Sequence, residues 1–206
     1  MPWCASGLSS RWRRPIRSAL PRSKKLRRMA KRQDLELWSQ DECHFQRHGT
    51  RRRVWVPPKE KDPIVMHAPT RQSVACLGAV SLRTGKFVHI FSPVFNAATF
   101  ETLLKALLRR RSRNKTMVVV LDNARYHHAK LLKPLLKAHR AHLQLLFLQP
   151  YGPQLAPIDR VWKLTRRLAT HNLYFSSLDE LLAAVEGCFE QWKKPNRVLQ
   201  RLCGIS

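Results

Sequence analysis

Three aspartates stand at the ends of hydrophobic segments, and their type and placement suit metal chemistry. Asp41 closes the segment LELWSQD, Asp122 closes TMVVVLD, and Asp159 lies in the first turn of the helical pattern PIDRVWKLTRRLATH. Carboxylates brought together repel one another unless a cation lies between them. Acids are scarce in this chain, with 13 Asp and Glu against 39 Lys and Arg. Each acid at the end of an element is therefore a candidate for function.

The two strand-end aspartates are predicted to meet at one edge of a sheet. The β-branched run over 116–122 is typical of a strand buried on both faces, and 35–41 alternates as a strand should. If these strands are parallel neighbours, their carboxyl ends meet where open α/β sheets bind ligands. Oxygen-only ligands favour Mg²⁺ or Mn²⁺, and two ions about 3.5–4 Å apart can clamp both reacting oxygens of a phosphoryl transfer. We therefore predict a two-metal site with Asp41, Asp122 and Asp159 as ligands.

Asp159 also has a structural interpretation. An acid in the first turn complements the helix dipole by about 0.3–1 kcal/mol. Lys163 lies one turn further on, at the spacing of a helical ion pair. Taken alone, Asp159 fits this interpretation better, and only its combination with the two strand-end acids favours the metal site.

The neighbours of these acids are also weighed. Asn123 is predicted to cap the following helix rather than to act in catalysis. Glu42 alternates from Asp41 onto the other strand face, so we expect a structural role. His127 is a candidate for contact with DNA or with a metal-bound water, although helix-surface histidines are more often solvated.

The elements that must position these residues follow from hydrophobic periodicity and turn signals. The predicted strands are 35–41, 73–82, 86–93, 116–122 and 142–149, and the predicted helices are 96–111, 124–140 with a break at Pro134, 157–171 and 176–194. Asn96 is expected to cap the first of these helices, and Ser177 and Glu180 are spaced as a capping box for the last. This order predicts an α/β fold with a mixed five-stranded sheet and helices on both faces, which is the order of the ribonuclease H-like fold. Residues 34–206 form that domain, and 1–33, with eleven Lys and Arg and no acid, are predicted to be a basic disordered arm.

The net charge of +26 indicates a polyanionic partner, for which nucleic acid is the default. No apolar run reaches the roughly 18–20 residues of a membrane span, and the basic N-terminus lacks the apolar core of a signal peptide. We therefore expect a cytoplasmic protein that acts on DNA, without a membrane partner. A second copy of the chain is a candidate partner.

The basic segment TRRRVWVPPK (50–59) is suited to a nucleic-acid backbone, with a tryptophan that can stack on a base. A solvated charge cluster over a buried Trp55 is an equal alternative. The predicted DNA-binding residues are Arg51, Arg52, Arg53, Trp55, His127, Lys163, Arg166 and Arg167.

Three segments in order resemble the motifs of DDE/D transposases, in the bacterial insertion-sequence branch of the mariner superfamily. They are DECHF (41–45), VVVLDNARYHHA (118–129) and YGPQLAPIDRVWKLTRR (151–167). In that family the second motif reads like lDNAxxH, and the third like PPYSPxLNPIExxW with an aspartate sometimes in place of the glutamate. The resemblance covers roughly 34–206.

The resemblance implies a ribonuclease H-like catalytic domain, two Mg²⁺ ions and cut-and-paste DNA transposition. Asp41, Asp122 and Asp159 correspond to the three catalytic acids. In such enzymes an activated water cleaves the transposon end, and the freed 3′-hydroxyl then attacks target DNA, so transposon ends and target DNA are the expected partners.

The chain departs from the family pattern in two ways. The third acid is the shorter Asp159, and Gln149, Gly152 and Ala156 replace residues common in the third motif. Residues 1–33 do not match the helix-turn-helix region that binds transposon ends. Three interpretations follow: a transposase catalytic domain, a truncated and inactive DNA-binding remnant, or a stand-alone nuclease of the same fold.

Overall fold

The computed structural model describes residues 20–53, 55, 57, 59, 64, 66, 70–148 and 156–205. Its strands are β1 (Leu35–Gln46), β2 (Ser73–Ser81), β3 (Phe87–Phe91), β4 (Thr116–Leu121) and β5 (Leu143–Phe147). Its α-helices are α1 (Leu20–Lys31), α2 (Ala97–Leu108), α3 (Lys133–Ala138), α4 (Asp159–Ala169), α5 (Leu178–Glu190) and α6 (Arg197–Cys203).

The strands form one five-stranded mixed sheet in the order β3-β2-β1-β4-β5. β1 pairs antiparallel with β2, and β2 antiparallel with β3. β1 pairs parallel with β4, and β4 parallel with β5. The predicted mixed sheet is confirmed, including the parallel contact of β1 and β4 on which the proposed site depends.

Side chains alternate along β1 between two apolar cores, one on each face of the sheet. Leu37 and Phe45 lie in the core covered by α4, α5 and α6, together with Trp162 and Phe189. Trp38 lies in the opposite core, which α2 covers. Helices therefore lie on both faces of the sheet, as predicted.

Helix starts follow the predicted capping residues. Asn96 accepts a hydrogen bond from the Thr99 amide at 2.9 Å at the start of α2. Ser177 accepts one from the Glu180 amide at 3.2 Å at the start of α5. The Glu180 carboxylate bonds the backbone amide of Ser176 at 2.8 Å, so this capping box is closed one residue earlier than expected.

Two predictions about the elements are wrong. Part of the predicted disordered arm is helix α1, because Leu26, Met29 and Ala30 recur at helical spacing and pack on the sheet domain; residues 1–19 lie outside the described residues. The predicted helix 124–140 is instead two 3-10 turns, Arg125–His128 and Lys130–Leu132, followed by the short α3. Pro134 lies in the first turn of α3, a position where its missing amide costs nothing.

No helix in the described part of the chain is both long enough and apolar enough to cross a bilayer.

Candidate active site

The register of β1 and β4 brings the first two aspartates to the same end of the sheet. The last parallel pair is Ser39 with Val120. Two residues further along each strand, the chain reaches Asp41 and Asp122. They lie where the two strands part, as predicted from the carboxyl ends of parallel neighbours.

Asp41 does not end its strand, which corrects the sequence prediction. β1 continues to Gln46 because its antiparallel pairing with β2 extends to Gln46 and Ser73. Asp41 therefore sits in the middle of a long strand, paired with Gly78 on one side and freed from β4 on the other. Its backbone is held by the sheet, and its side chain lies at the open edge of the parallel ladder.

The Asp41 carboxylate is half-buried and carries a raised pKa. The indole Nε1 of Trp162 donates to Asp41 Oδ2 at 3.1 Å. Burial, together with the nearby charges of Glu42 and Asp159, raises the pKa of Asp41 to about 7 against the opposing hydrogen bonds. A carboxylate in this setting is destabilised without a cation, which is the condition a metal site relieves.

Asp122 lies in a different setting, with 57% of its side chain exposed. Its Oδ1 accepts a hydrogen bond from the Ala124 amide at 3.0 Å and lies 3.1 Å from Nδ1 of His127. The His127 ring is buried against Phe100 and Tyr126, with centroid separations of 4.4 and 4.2 Å. Burial lowers the pKa of His127, against the opposing charge of Asp122, so the ring is neutral and its Nδ1–H donates to Asp122.

The predicted DNA contact of His127 is therefore wrong. The residue lies on a 3-10 turn that directs its ring into the interior, where only 2% of it is exposed. What the sequence pattern missed is that the ring faces back toward Asp122, five residues earlier. The prediction that Asn123 caps a helix is also wrong, because its amide donates to the Leu148 carbonyl at 2.7 Å and ties the end of β4 to the end of β5.

Asp159 is the first residue of α4, and its charge acts on β1. It raises the pKa of both Asp41 and Cys43, where burial is the largest cause for each. The predicted ion pair with Lys163 does not form among the described residues. Of the two structural roles considered for Asp159, the ion pair with Lys163 is therefore absent and only the interaction with the helix dipole remains. The effect of the Asp159 charge on the pKa of Asp41 agrees with a shared site.

Glu42 lies on the opposite face of β1, as predicted. Its Oε1 accepts a hydrogen bond from the Tyr126 hydroxyl at 2.9 Å, and Tyr126 packs against the α2 core. Burial raises the pKa of Glu42, and the charge of Asp122 adds to the effect. Glu42 is therefore held as part of the structure rather than presented at the sheet edge.

Five of the six cations predicted to bind DNA have exposed side chains. Arg51, Arg53, Lys163 and Arg167 are exposed. Arg52 is exposed too, and its backbone exchanges hydrogen bonds of 2.7 and 3.0 Å with the Asn172 side chain, which fixes the basic segment beside the end of α4.

Two members of the predicted set behave differently. Arg166 is half-buried, donates to Cys43 Sγ at 2.9 Å and lies 5.7 Å from the centre of the Phe45 ring. Trp55 is fully exposed, so the alternative in which charges cover a buried tryptophan is wrong.

The donor chemistry of this edge suits a hard divalent cation, since the acids are carboxylates and both burial and neighbouring negative charge disfavour the ionised form of Asp41. Within the described residues, however, no group of three or more His, Cys, Asp or Glu lies close enough to hold an ion. The ligand type therefore fits, while the three carboxylates do not form a closed ligand set in this structure.

Fold and site together define a ribonuclease H-like domain with an acidic edge at the parting of β1 and β4. Residues 36–182 match the family described as DDE superfamily endonuclease, and the chain belongs to that family. The DDE family and the ribonuclease H-like fold that the sequence predicts are thereby confirmed.

Two related proteins and one solved structure show what this domain is similar to. A protein of Sinorhizobium fredii, named uncharacterized protein y4pE/y4sA, is 29% identical over 117 residues, which are 57% of this chain and 81% of that protein. The insertion element IS630 uncharacterized 39 kDa protein of Shigella sonnei is 27% identical over 113 residues, 55% of this chain and 33% of that protein. The Mos1 mariner paired end complex with Mn has a similar fold, with a TM-score of 0.63 at 19% identity, over 98% of this chain and 61% of that one.

The matched region thus spans a third of the Shigella protein and less than two thirds of the Mos1 chain.

Proposed function

We propose that the chain cleaves DNA and joins the freed end to a target strand in a metal-dependent reaction, with Asp41, Asp122 and Asp159 as the catalytic acids. The observation that carries the proposal is the parallel register of β1 and β4, which brings Asp41 and Asp122 to one edge of a DDE endonuclease fold. The influence of Asp159 on the pKa of Asp41 supports the third acid.

The three acids would hold Mg²⁺ or Mn²⁺, two ions in all. Bound ions of this kind activate an oxygen nucleophile and stabilise negative charge on the phosphate during an in-line displacement. The protein's own contribution is to fix the carboxylates. The Asp41 carboxylate is held by Trp162 and the Asp122 carboxylate by the Ala124 amide and His127, whereas Asp159 is placed by its backbone at the start of α4.

DNA is the proposed substrate, as transposon ends and as target. The net charge of +26 and the exposed cations Arg51, Arg52, Arg53, Lys163 and Arg167 support this proposal, with Trp55 as a candidate stacking residue. A homodimer, in which two copies of the chain would each hold one DNA end, is also part of the proposal. The proposed place of action is the bacterial cytoplasm, on nucleoid DNA.

Nicking of supercoiled plasmid by the purified chain tests the proposal. We expect relaxed plasmid to form with Mn²⁺ or Mg²⁺, to be absent with EDTA, and to be absent in Asp122→Ala. Strand joining is followed with a labelled oligonucleotide that carries a free 3′-hydroxyl. Nicking without joining supports the stand-alone nuclease, and DNA binding without nicking supports the inactive remnant.

The third acid has a matched control. Asp159 and Asp179 each lie in the first turn of a helix, α4 and α5 respectively, so both complement a helix dipole. Asp159→Asn should abolish nicking, whereas Asp179→Asn should retain it with a similar small loss of stability. Equal nicking by the two variants would remove Asp159 from the site.

A further inference from the structure

Trp162 connects two acids that lie far apart in the sequence. Its indole Nε1 donates to Oδ2 of Asp41 at 3.1 Å, across a separation of 121 residues. It also lies three residues after Asp159 on α4, just under one helical turn away. One helix thus supplies the third acid and the hydrogen bond that holds the first.

The indole is itself firmly placed. Only 3% of Trp162 is exposed, and its ring meets Phe45 and Phe87 edge-on, with centroid separations of 6.2 and 5.7 Å. A side chain in such a packed aromatic cluster has one available orientation. The direction of its N–H is therefore set by the core and not by solvent.

Gly78 makes room for this arrangement. It is the cross-strand partner of Asp41 in the pairing of β1 with β2. A Cβ at residue 78 would lie 2.5 Å from Cη2 of Trp162 and 2.9 Å from Cζ of Phe87, closer than atoms can approach. The absence of a side chain at the partner of Asp41 is thus what allows the indole to reach the Asp41 carboxylate.

From this geometry we infer that Trp162 is a positioning residue for Asp41, seated by Gly78, and that it fixes one carboxylate oxygen so that the acid is oriented for metal binding. The inference rests on the proposed function, because it assigns Trp162 a role at that same site. Hydrogen-bond partners of metal ligands commonly contribute 10–100-fold to metal affinity or activity. Trp162 is accordingly more than a core residue, although it packs like one.

The first test compares two identical substitutions in one aromatic cluster. Trp162→Phe removes the N–H and keeps most of the packing. Trp192→Phe is the matched control, since Trp192 also packs on Phe87 and Phe189 and, within the described part of the chain, its indole donates to no carboxylate. Calorimetric titration with Mn²⁺ should show binding weakened about 10–100-fold in Trp162→Phe and unchanged in Trp192→Phe. Equal Mn²⁺ affinity in the two variants overturns the inference.

The second test moves the indole without deleting it. Gly78→Ala should displace the Trp162 ring and weaken Mn²⁺ binding in the same direction. Gly187→Ala on α5 is its control, because a Cβ there meets nothing within 4 Å. Unchanged Mn²⁺ affinity in folded Gly78→Ala would contradict the proposal that Gly78 makes room for the Trp162 ring.

A third readout separates this inference from the proposed function. The indole N–H resonance of Trp162, assigned by its loss in Trp162→Phe, should move in Asp41→Ala, while that of Trp192 should not. Movement in Asp41→Ala without any Mn²⁺ binding by the wild type would support the hydrogen bond and contradict the metal site. A resonance indifferent to Asp41→Ala contradicts the positioning role, whatever the metal result.

Discussion

Asp41 and Asp122 lie at the same end of the sheet but are held in opposite ways. Asp41 lies half-buried within a long strand, bonded to the buried indole of Trp162, and its pKa is raised to about 7. Asp122 lies just beyond its strand with most of its side chain exposed, bonded to the Ala124 amide and to His127. The comparison shows that two acids proposed for the same site can differ in what they cost the fold.

The difference has a physical origin in the sheet. β1 continues past the point where it leaves β4, so Asp41 stays between β2 and the α4 helix that covers the face. The chain after β4 turns away at once into a 3-10 turn, which leaves Asp122 open to solvent. We therefore expect the burial penalty to rest on Asp41 alone, and a cation to relieve it there.

The largest expected effect is on the nicking rate, where substitution of either acid should have the same consequence. Asp41→Asn and Asp122→Asn should each lower the metal-dependent nicking rate by more than about 10³-fold, because each removes a ligand of a site that acts as a unit. The rate of plasmid relaxation under single-turnover conditions measures this. Retained nicking in either variant, at a rate within tenfold of the wild type, would contradict the shared site.

The second prediction separates the two acids by stability in EDTA. Asp41 keeps its proton to about pH 7 in the folded state, whereas its unfolded value is 3.8. The contribution of Asp41 to the free energy of unfolding therefore declines as pH rises from about 4 to about 7, by on the order of 2–4 kcal/mol. His127 contributes in the opposite direction over much of this window, so the contribution of Asp41 is the difference between the wild type and Asp41→Asn. Asp41→Asn should abolish this loss and be more stable than wild type at pH 8, as measured by urea denaturation.

Asp122→Asn is the control for that measurement, since its carboxylate is mostly exposed. It should follow the pH profile of the wild type on the alkaline side. Equal pH profiles for Asp41→Asn and the wild type would show that burial does not penalise Asp41.

The third prediction concerns the support of Asp122. His127→Phe preserves a buried ring and removes the Nδ1–H that faces Asp122, so nicking should fall about 10–100-fold. Burial lowers the pKa of His127 to about 4, so this residue adds an acid-sensitive contribution to the free energy of unfolding: the contribution is full above pH 6.5 and is lost as pH falls toward 4. That component should be absent in His127→Phe, as urea denaturation between pH 4 and 7 would show.

The fourth and smallest effect concerns Glu42, on the far face of β1. Glu42→Gln keeps an acceptor for the Tyr126 hydroxyl and removes a charge that raises the pKa of Asp41. Nicking should stay within about threefold of the wild type, a change below about 1 kcal/mol. The pH window of the Asp41 stability loss should end at a lower pH. A loss of nicking as large as that of Asp41→Asn would make Glu42 a ligand.

The sequence was sufficient for the parts of the fold that rest on local patterns. The β-branched run of β4 and the caps Asn96 and Ser177 express short-range physics, and they were predicted correctly. Helix α1 was missed because its many cations hide the apolar spacing around Leu26.

Local sequence patterns could not predict which side chains contact Asp41 and Asp122. The bond between Trp162 and Asp41 joins residues 121 apart and depends on the missing side chain of Gly78, which only the packed structure reveals. The tryptophan three residues after Asp159 was visible in the third motif, but its spacing is equally that of a core residue. The burial of His127 follows from a 3-10 turn where the periodicity indicated a helix.

Calorimetric titration with Mn²⁺ tests the central claim most directly, since the claim is that Asp41, Asp122 and Asp159 share bound cations. The account predicts two ions per wild-type chain, loss of binding in the Asp→Asn variant of each of these three residues, and wild-type binding in Asp179→Asn. An Asp159→Asn variant that binds Mn²⁺ as well as Asp179→Asn does would contradict it.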